Sequence, residues 1–239
     1  MRNLAYLHST NGQNCFVGDV HFGDVVPGKS PTCAFFPDPF AAKTIPRAVP
    51  CSQNHVSVTV PSTLFPGIYC AGLSISATTT LNKGVYIIKG GALSITGALT
   101  NVTANGVTFI LTGGAALNIN TTGTINLSPS SAADGGSFAG FAIYSDQAAP
   151  PPGGNAQKGG SFTISAANVN LSGIIYAAGQ TFIIDQKANV TISPGSIIAD
   201  YLLPDDANLT LTGTLSSSDA AAVAMRKPAD GVGTAILVH

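Results

Sequence analysis

Between Leu64 and Leu127 the chain repeats one pattern three times. A glycine opens a short β-branched or aromatic run, and a second short alternating run follows. Gly67-Ile68-Tyr69-Cys70 precedes Leu73-Ser74-Ile75, Gly84-Val85-Tyr86-Ile87-Ile88 precedes Leu93-Ser94-Ile95, and Gly106-Val107-Thr108-Phe109-Ile110-Leu111 precedes Leu117-Asn118-Ile119. The opening glycines are 17 and 22 residues apart and the second runs 20 and 24. A period near 20 residues, with alternation inside each run, belongs to a coil of short strands and not to a helix or a series of hairpins. The expected fold is all-β, a right-handed parallel β-helix (β-solenoid).

The pattern returns later in the chain. Ala167-Asn168-Val169-Asn170-Leu171, Ala188-Asn189-Val190-Thr191-Ile192 and Ala207-Asn208-Leu209-Thr210-Leu211 recur at spacings of 21 and 19. Residues 56–215 therefore predict roughly seven coils of about three strands each, stacked as three parallel sheets. Within each strand Val, Ile and Leu point inward while Thr, Ser and Asn point outward. Glycines at the corners permit the bends.

Before and after this stack the expectation changes. Residues 1–55 carry Pro27, Pro31, Pro37, Pro39, Pro46 and Pro50, and are read as an irregular amino-terminal lead-in that covers the first coil, because an open coil end exposes unpaired backbone. Residues 216–239 are read as a carboxy-terminal cap, with a short helix over 220–225 started by Ser218-Asp219 and a last strand over 233–238. Ala132 to Ser161, rich in Gly and Pro, is read as a loop excursion around one strand, Phe141 to Tyr144. The whole makes one structural domain.

Composition removes several function classes. Charged residues are 9% of the chain, and all 11 acidic residues are Asp. An ordinary soluble domain carries about 25% charged residues, so the surface must be built from hydroxyls and amides. A formal net charge of −1 without a basic stripe gives no footprint for nucleic acid. Residues 90–133 hold no ionisable side chain of Asp, Glu, Lys, Arg or His, yet Thr, Asn and Gly recur too often for a membrane span. The first eight residues lack the apolar core of a leader, so either a targeting segment was removed or the chain is cut from a longer protein.

Cys15, Cys33, Cys51 and Cys70 all lie in the first third, with no CxxC pair. That spacing points to two disulfides and an extracytoplasmic location. Cys15 with Cys33 and Cys51 with Cys70 is the preferred pairing, each loop being worth roughly 3 kcal/mol by chain entropy. Four cysteines allow three pairings, and the sequence does not choose among them.

Certain residues in this order resemble a known family. Asp38-Pro39-Phe40-Ala41, Leu64 to Leu73 (Leu-Phe-Pro-Gly-Ile-Tyr-Cys-Ala-Gly-Leu), Gly84-Val85-Tyr86-Ile87-Ile88 with Gly90-Gly91, Gly106-Val107-Thr108-Phe109, Asn126-Leu127-Ser128-Pro129 and Leu171 to Tyr176 look like the carboxy-terminal β-helix region of TadG-like proteins of the tight-adherence (Flp) pilus system. The resemblance implies a bacterial envelope or surface protein acting in pilus assembly or adhesion, without catalysis or cofactor. Its partners would then be pilus or envelope components; separately from the resemblance, a solenoid that stacks through its ends or sides would be a self-assembling subunit with copies of itself as partners. The membrane helix and the metal-binding von Willebrand A-like domain of full-length relatives have no counterpart here, so no functional residue carries over.

Enzymatic β-helices need clustered chemistry. A lyase needs carboxylates to hold Ca²⁺ and a base to take a proton, for which Asp185, Asp200, Asp205 and Asp206 with Lys187 are the best candidates; Asp185 and Asp206 are 21 residues apart, one coil. A hydrolase needs two carboxylates about 5–9.5 Å apart, for which Asp134 and Asp146 are the pair to examine. Both sets also read as solvated turn residues. His8, His21, His55 and His239 form no metal or triad spacing. The expectation is therefore no enzyme, no catalytic residue, no metal and no cofactor, with the four Asp above as binding candidates. The six Asn-x-Ser/Thr sequences at Asn101, Asn120, Asn126, Asn170, Asn189 and Asn208 are read as outward amides, and Tyr69, Tyr86, Tyr144 and Tyr176 as one aromatic stack inside the coil.

Overall fold

The fold was obtained as a computed structural model. It describes residues 50–146, 161–165 and 167–212, together with Phe40, residues 43–45 and the strand backbones of residues 6–9, 14–17, 24–26, 29–30 and 234–237. In chain order the strands are β1 (Tyr6–Ser9), β2 (Asn14–Val17), β3 (Asp24–Val26), β4 (Lys29–Ser30), β5 (Gln53–Val58), β6 (Ser62–Leu64), β7 (Gly67–Ile75), β8 (Thr79–Leu81), β9 (Gly84–Lys89) and β10 (Ala92–Gly97). There follow β11 (Val102–Ala104), β12 (Val107–Thr112), β13 (Ala116–Thr121), β14 (Thr124–Leu127), a short helix α1 (Ala132–Gly135), β15 (Phe141–Ser145), β16 (Ser161–Ser165), β17 (Asn168–Asp185), β18 (Asn189–Pro204), β19 (Asn208–Leu211) and β20 (Thr234–Leu237).

The pairing is that of the expected parallel β-helix. Three columns of strands stack along one axis. The first runs β6, β8, β11, β14, then the opening segments of β17 and β18, then β19. The second runs from Gly67–Cys70 through β9, β12 and β15 to residues 174–177 and 195–199. The third joins residues 73–75, β10, β13, β16, 181–185 and 201–204. Leu, Ile and Val of the inward positions form one continuous core, with Ile75, Ile88, Leu111, Phe162, Phe182, Ile184 and Ile192 all essentially without solvent exposure. Alternation explains this directly, since period-2 strands put every second side chain inside.

On the second column the outward positions are apolar as well. Ile110, Phe141, Tyr144, Tyr176 and Ile198, with Ile45 and Phe138, make a separate buried cluster on the outside of the coil. Phe40, Val85, Ile87 and Ile174 pack against it. Phe40 stands edge-on to Phe141 at 4.8 Å and to Tyr176 at 5.5 Å. Lys43 donates to the Ser137 carbonyl and holds its ammonium 5.2 Å from the centres of both the Phe138 and Phe141 rings, a cation–π arrangement that fastens this strap to the sheet. The helix exterior thus carries a second apolar layer on one face; the first column's outer face is polar, and the third column's is polar from Ser74 through Ser94, Asn118 and Thr163 and then apolar at Ile183 and the exposed Leu203.

The lead-in differs from expectation. β1 pairs in parallel with β19 and with β3, β2 pairs in parallel with β4, and β20 lies antiparallel between β18 and β2. The first strands of the chain therefore extend the far end of the stack instead of covering the first coil. The last coil offers unpaired N–H and C=O groups on β18 and β19, and strands delivered from either terminus satisfy them. The expected last strand is β20; the expected helix over 220–225 lies outside the described residues.

Within the excursion over 132–161 the expected strand around Phe141 to Tyr144 is found. That strand, Phe141–Ser145, is an integral member of the second column, paired with β12 and β17. What lies outside the coil begins with α1 and a 3₁₀ turn, Gly136–Phe138, which returns Phe138 to the outer apolar cluster. Residues 147–160 are outside the described residues.

Cys51 and Cys70 form a disulfide across 19 residues, tying the entry of β5 to β7. That half of the preferred pairing is found. Cys15 lies in the β2 backbone, and Cys33 lies outside the described residues.

Candidate functional site

The acidic candidates come partly together. Ile184 pairs with Pro204, so Asp185 and Asp205 leave their strands at successive levels of one corner. There the Lys187 amide donates to the Asp206 carbonyl at 2.6 Å and the Asp205 amide to the Ile184 carbonyl at 2.7 Å. Gln186, Lys187 and Asp206 adopt positive φ values of 52°, 63° and 50°, the tight-corner conformation that costs most residues about 1–2 kcal/mol. Asp200 sits at a different corner, between the 195–199 and 201–204 segments of β18. Among the described residues no three His, Cys, Asp or Glu side chains meet in a way that could hold a metal ion.

Asp134 and Asp146 are each engaged elsewhere. Asp134 accepts from Ser131 Oγ at 2.9 Å and lies 3.7 Å from the Lys83 ammonium. Asp146 Oδ2 accepts from Thr112 Oγ1 at the end of the second column. Both are half-buried, so the reading as simply solvated loop carboxylates is replaced by one of structural tethers. His55 is exposed in β5 at a positive φ of 49°. His8 is in β1; His21 and His239 lie outside the described residues.

The four tyrosines make two stacks. Tyr69 and Tyr86 lie in the core, nearly parallel at 5.8 Å. Tyr144 and Tyr176 stack at 4.8 Å in the outer cluster. Tyr69 donates to the Phe65 carbonyl at 2.6 Å, and Tyr86 lies 2.9 Å from the carbonyls of both Leu64 and Asn82. Burial raises both inner phenols above the ordinary value of 10.0; for Tyr86 the neighbouring Tyr69 adds to the rise. The neutral phenol is thus the form the fold favours. This stabilisation is fully present below the unfolded-state value and is lost as pH climbs above it. Urea-melt stability is expected to fall above about pH 10, with a smaller fall in Tyr86→Phe.

The first column presents the most regular surface. Its outward positions align through the stack as Thr63, Thr80, Thr103, Asn126, Asn170, Thr191 and Thr210. Two residues earlier on the same strands stand Thr124, Asn168, Asn189 and Asn208. Amides link across coils: Asn170 Nδ2 donates to Asn126 Oδ1 at 3.1 Å, Asn189 to Asn168 at 3.3 Å and Asn208 to Asn189 at 2.8 Å. At the edge of the array the Thr124 amide donates to Asn101 Oδ1 at 2.8 Å. These strand segments, from Ser62 to Leu211, contain no ionisable residue. The Asn-x-Ser/Thr asparagines are outward amides, and register gathers Asn101, Asn126, Asn170, Asn189 and Asn208 onto this column and its edge, while Asn120 stands on the third column beside Thr96 and Ser165.

No family model, curated protein or solved structure matches this chain.

Proposed function

We propose that this chain is a non-catalytic structural or adhesive β-helix of the bacterial cell surface, acting in pilus assembly or attachment as the TadG-like resemblance implies. The observation that carries the reading is the stack itself: a long polar face built from Thr and Asn on a continuous core, with Asp134 and Asp146 engaged as tethers. The Cys51–Cys70 disulfide supports an oxidising, extracytoplasmic setting. No helix among the described residues is long and apolar enough to cross a membrane. The partners under this reading are pilus or envelope components or other copies of the chain.

The test uses the full-length gene product in its own cells. The epitope-tagged protein is expected to be cleaved by protease added to intact cells, to resist thiol alkylation at Cys51 and Cys70 unless reduced first, and to be needed for attachment to a surface. A cytosolic, reduced protein would overturn the reading. So would release of sugar fragments by the purified chain that is lost in Asp185→Ala or Asp206→Ala, which would favour a polysaccharide-degrading enzyme.

A further inference from the structure

We propose that the first coil is a self-association surface, through which two copies of this chain meet head to head about a two-fold axis. Self-association is independent of the adhesive reading above, whose test is location.

The two ends of the stack are finished differently. At the far end β1, β3 and β20 lie on the last coils, and the core residues beneath them, Ile192, Leu209 and Leu211, are at most 1% exposed. At the near end β5 pairs with β7 and β6 with β8, and among the described residues no further strand lies outside them. Val56 and Leu64, at inward positions of this coil, are only partly buried, and Val60 and Phe65 are each 64% exposed. The core is closed at one end and open at the other.

The open edges are also undefended. A sheet edge that resists pairing carries charge, Pro or a bulge. At the far end β3 begins with Asp24 and β4 with Lys29, and Pro27 and Pro31 follow them. Residues 51–82 hold no Asp, Glu, Lys or Arg. The irregularity between Asn54 and Val56 and the residue Pro61 stand at corners, which leaves 56–58 and 62–64 clear. The Ser62 amide donates to the Thr78 carbonyl and the Leu64 carbonyl accepts from Asn82. Both residues thus turn their backbone toward the next coil, and Thr63 between them turns its N–H and C=O to the open end.

Geometry selects a second copy as the occupant. The edges lie on two sides of a closed coil, which one straight extended peptide cannot follow and another coil can. Antiparallel pairing about Thr63 exchanges two N–H···O bonds between the two Thr63 residues. It sets Ser62 against Leu64, Pro61 against Phe65 and Val60 against Pro66, so each exposed apolar side chain meets an apolar residue of the other copy. The same patch serves both copies, as a two-fold contact requires, and it opposes no like charges. The far ends, with their own strands and prolines, face away, so the assembly stops at two.

The experiment is sedimentation equilibrium of the purified, disulfide-intact chain over a concentration series. A monomer–dimer equilibrium with no larger species is expected. Thr63→Asp, which sets like charges opposite each other across the axis, is expected to weaken dimerisation at least tenfold, as is Thr63→Lys. Mixing the two variants is expected to restore the dimer. Thr63 is exposed, so neither variant disturbs the core, and recovery on mixing shows that both are folded. Thr210→Asp, at the same outward position on β19, leaves the dimer unchanged. Monomers alone at every concentration, oligomers that keep growing, a dimer indifferent to Thr63→Asp, equal weakening by Thr210→Asp, or no recovery on mixing would each overturn the proposal. A dimer found for a cytosolic protein keeps this interface and removes the adhesive reading; a surface-exposed monomer does the reverse.

Discussion

Phe182→Ala is expected to lower the unfolding free energy by about 4 kcal/mol, the loss typical of a large aromatic removed from a packed core. Phe182 has no solvent exposure and meets Phe162 at 6.2 Å between ring centres. It is paired in register with Phe162 on one side and Leu202 on the other, so the cavity opens between coils that cannot collapse without breaking backbone hydrogen bonds. Thr191→Ala, at an outward, half-buried position of the next coil, is expected to stay within about 0.5 kcal/mol. Urea denaturation of the two variants tests which way each strand turns its side chains. Similar losses in both would contradict the pleat assigned here.

Gly173→Ala is expected to cost about 3 kcal/mol, from steric overlap together with a disfavoured backbone conformation. At Gly173 φ is +86°, and an added Cβ would sit 2.6 Å from the Gly140 carbonyl oxygen and 2.7 Å from Pro129 Cγ. The first of these is backbone, which moves only if a coil moves. Gly114 provides the comparison: its φ is +81°, but nothing lies within 4 Å of an added Cβ. Gly114→Ala should then show only the conformational part, about 1 kcal/mol. Thermal melts of the pair separate close approach from backbone preference, and equal losses would remove the close-approach explanation for Gly173.

Much of the fold was legible because coil repeats write themselves into sequence twice, in alternation and in period. Leu73, Leu93 and Leu117 are in register in the structure as their spacing suggested. The destination of Tyr6–Ser30 was not legible. Nothing local in those residues names the edge they join, because that choice is set by which strands are left unpaired after the coils have formed. The outer apolar layer has a signal in the sequence. Val107 to Thr112 is buried at all six positions, and a strand apolar on both sides, as in Phe109-Ile110-Leu111, indicates cover on both faces. The strap residues Phe40 and Ile45 that supply this cover sit in a Pro-rich stretch without periodicity.

The acidic candidates show the opposite limit. Asp185 and Asp206 leave successive levels of one corner, where the Ile184–Pro204 pairing sets residue 205 level with 185, while Asp200 falls at another because each coil turns more than once. A sequence separation near 20 identifies neighbouring levels of the stack, and it does not by itself gather carboxylates into a site. The polar first column depends on register held over the whole stack, including across the interruption between β14 and β17.

That continuity is most directly tested by an engineered cross-link. Asn126→Cys with Asn170→Cys joins positions 44 residues apart in sequence whose side chains are hydrogen-bonded across the stack, within the reach of a disulfide if the coils align. Mild oxidation of the purified double variant, followed by non-reducing peptide mass mapping, should recover the 126–170 cross-link as the main new species. The shifted-register control Asn126→Cys with Val169→Cys, whose second position faces the core, should yield none. A cross-link formed equally well by the control, or none by the aligned pair, would contradict the continuous stack on which the polar face is built.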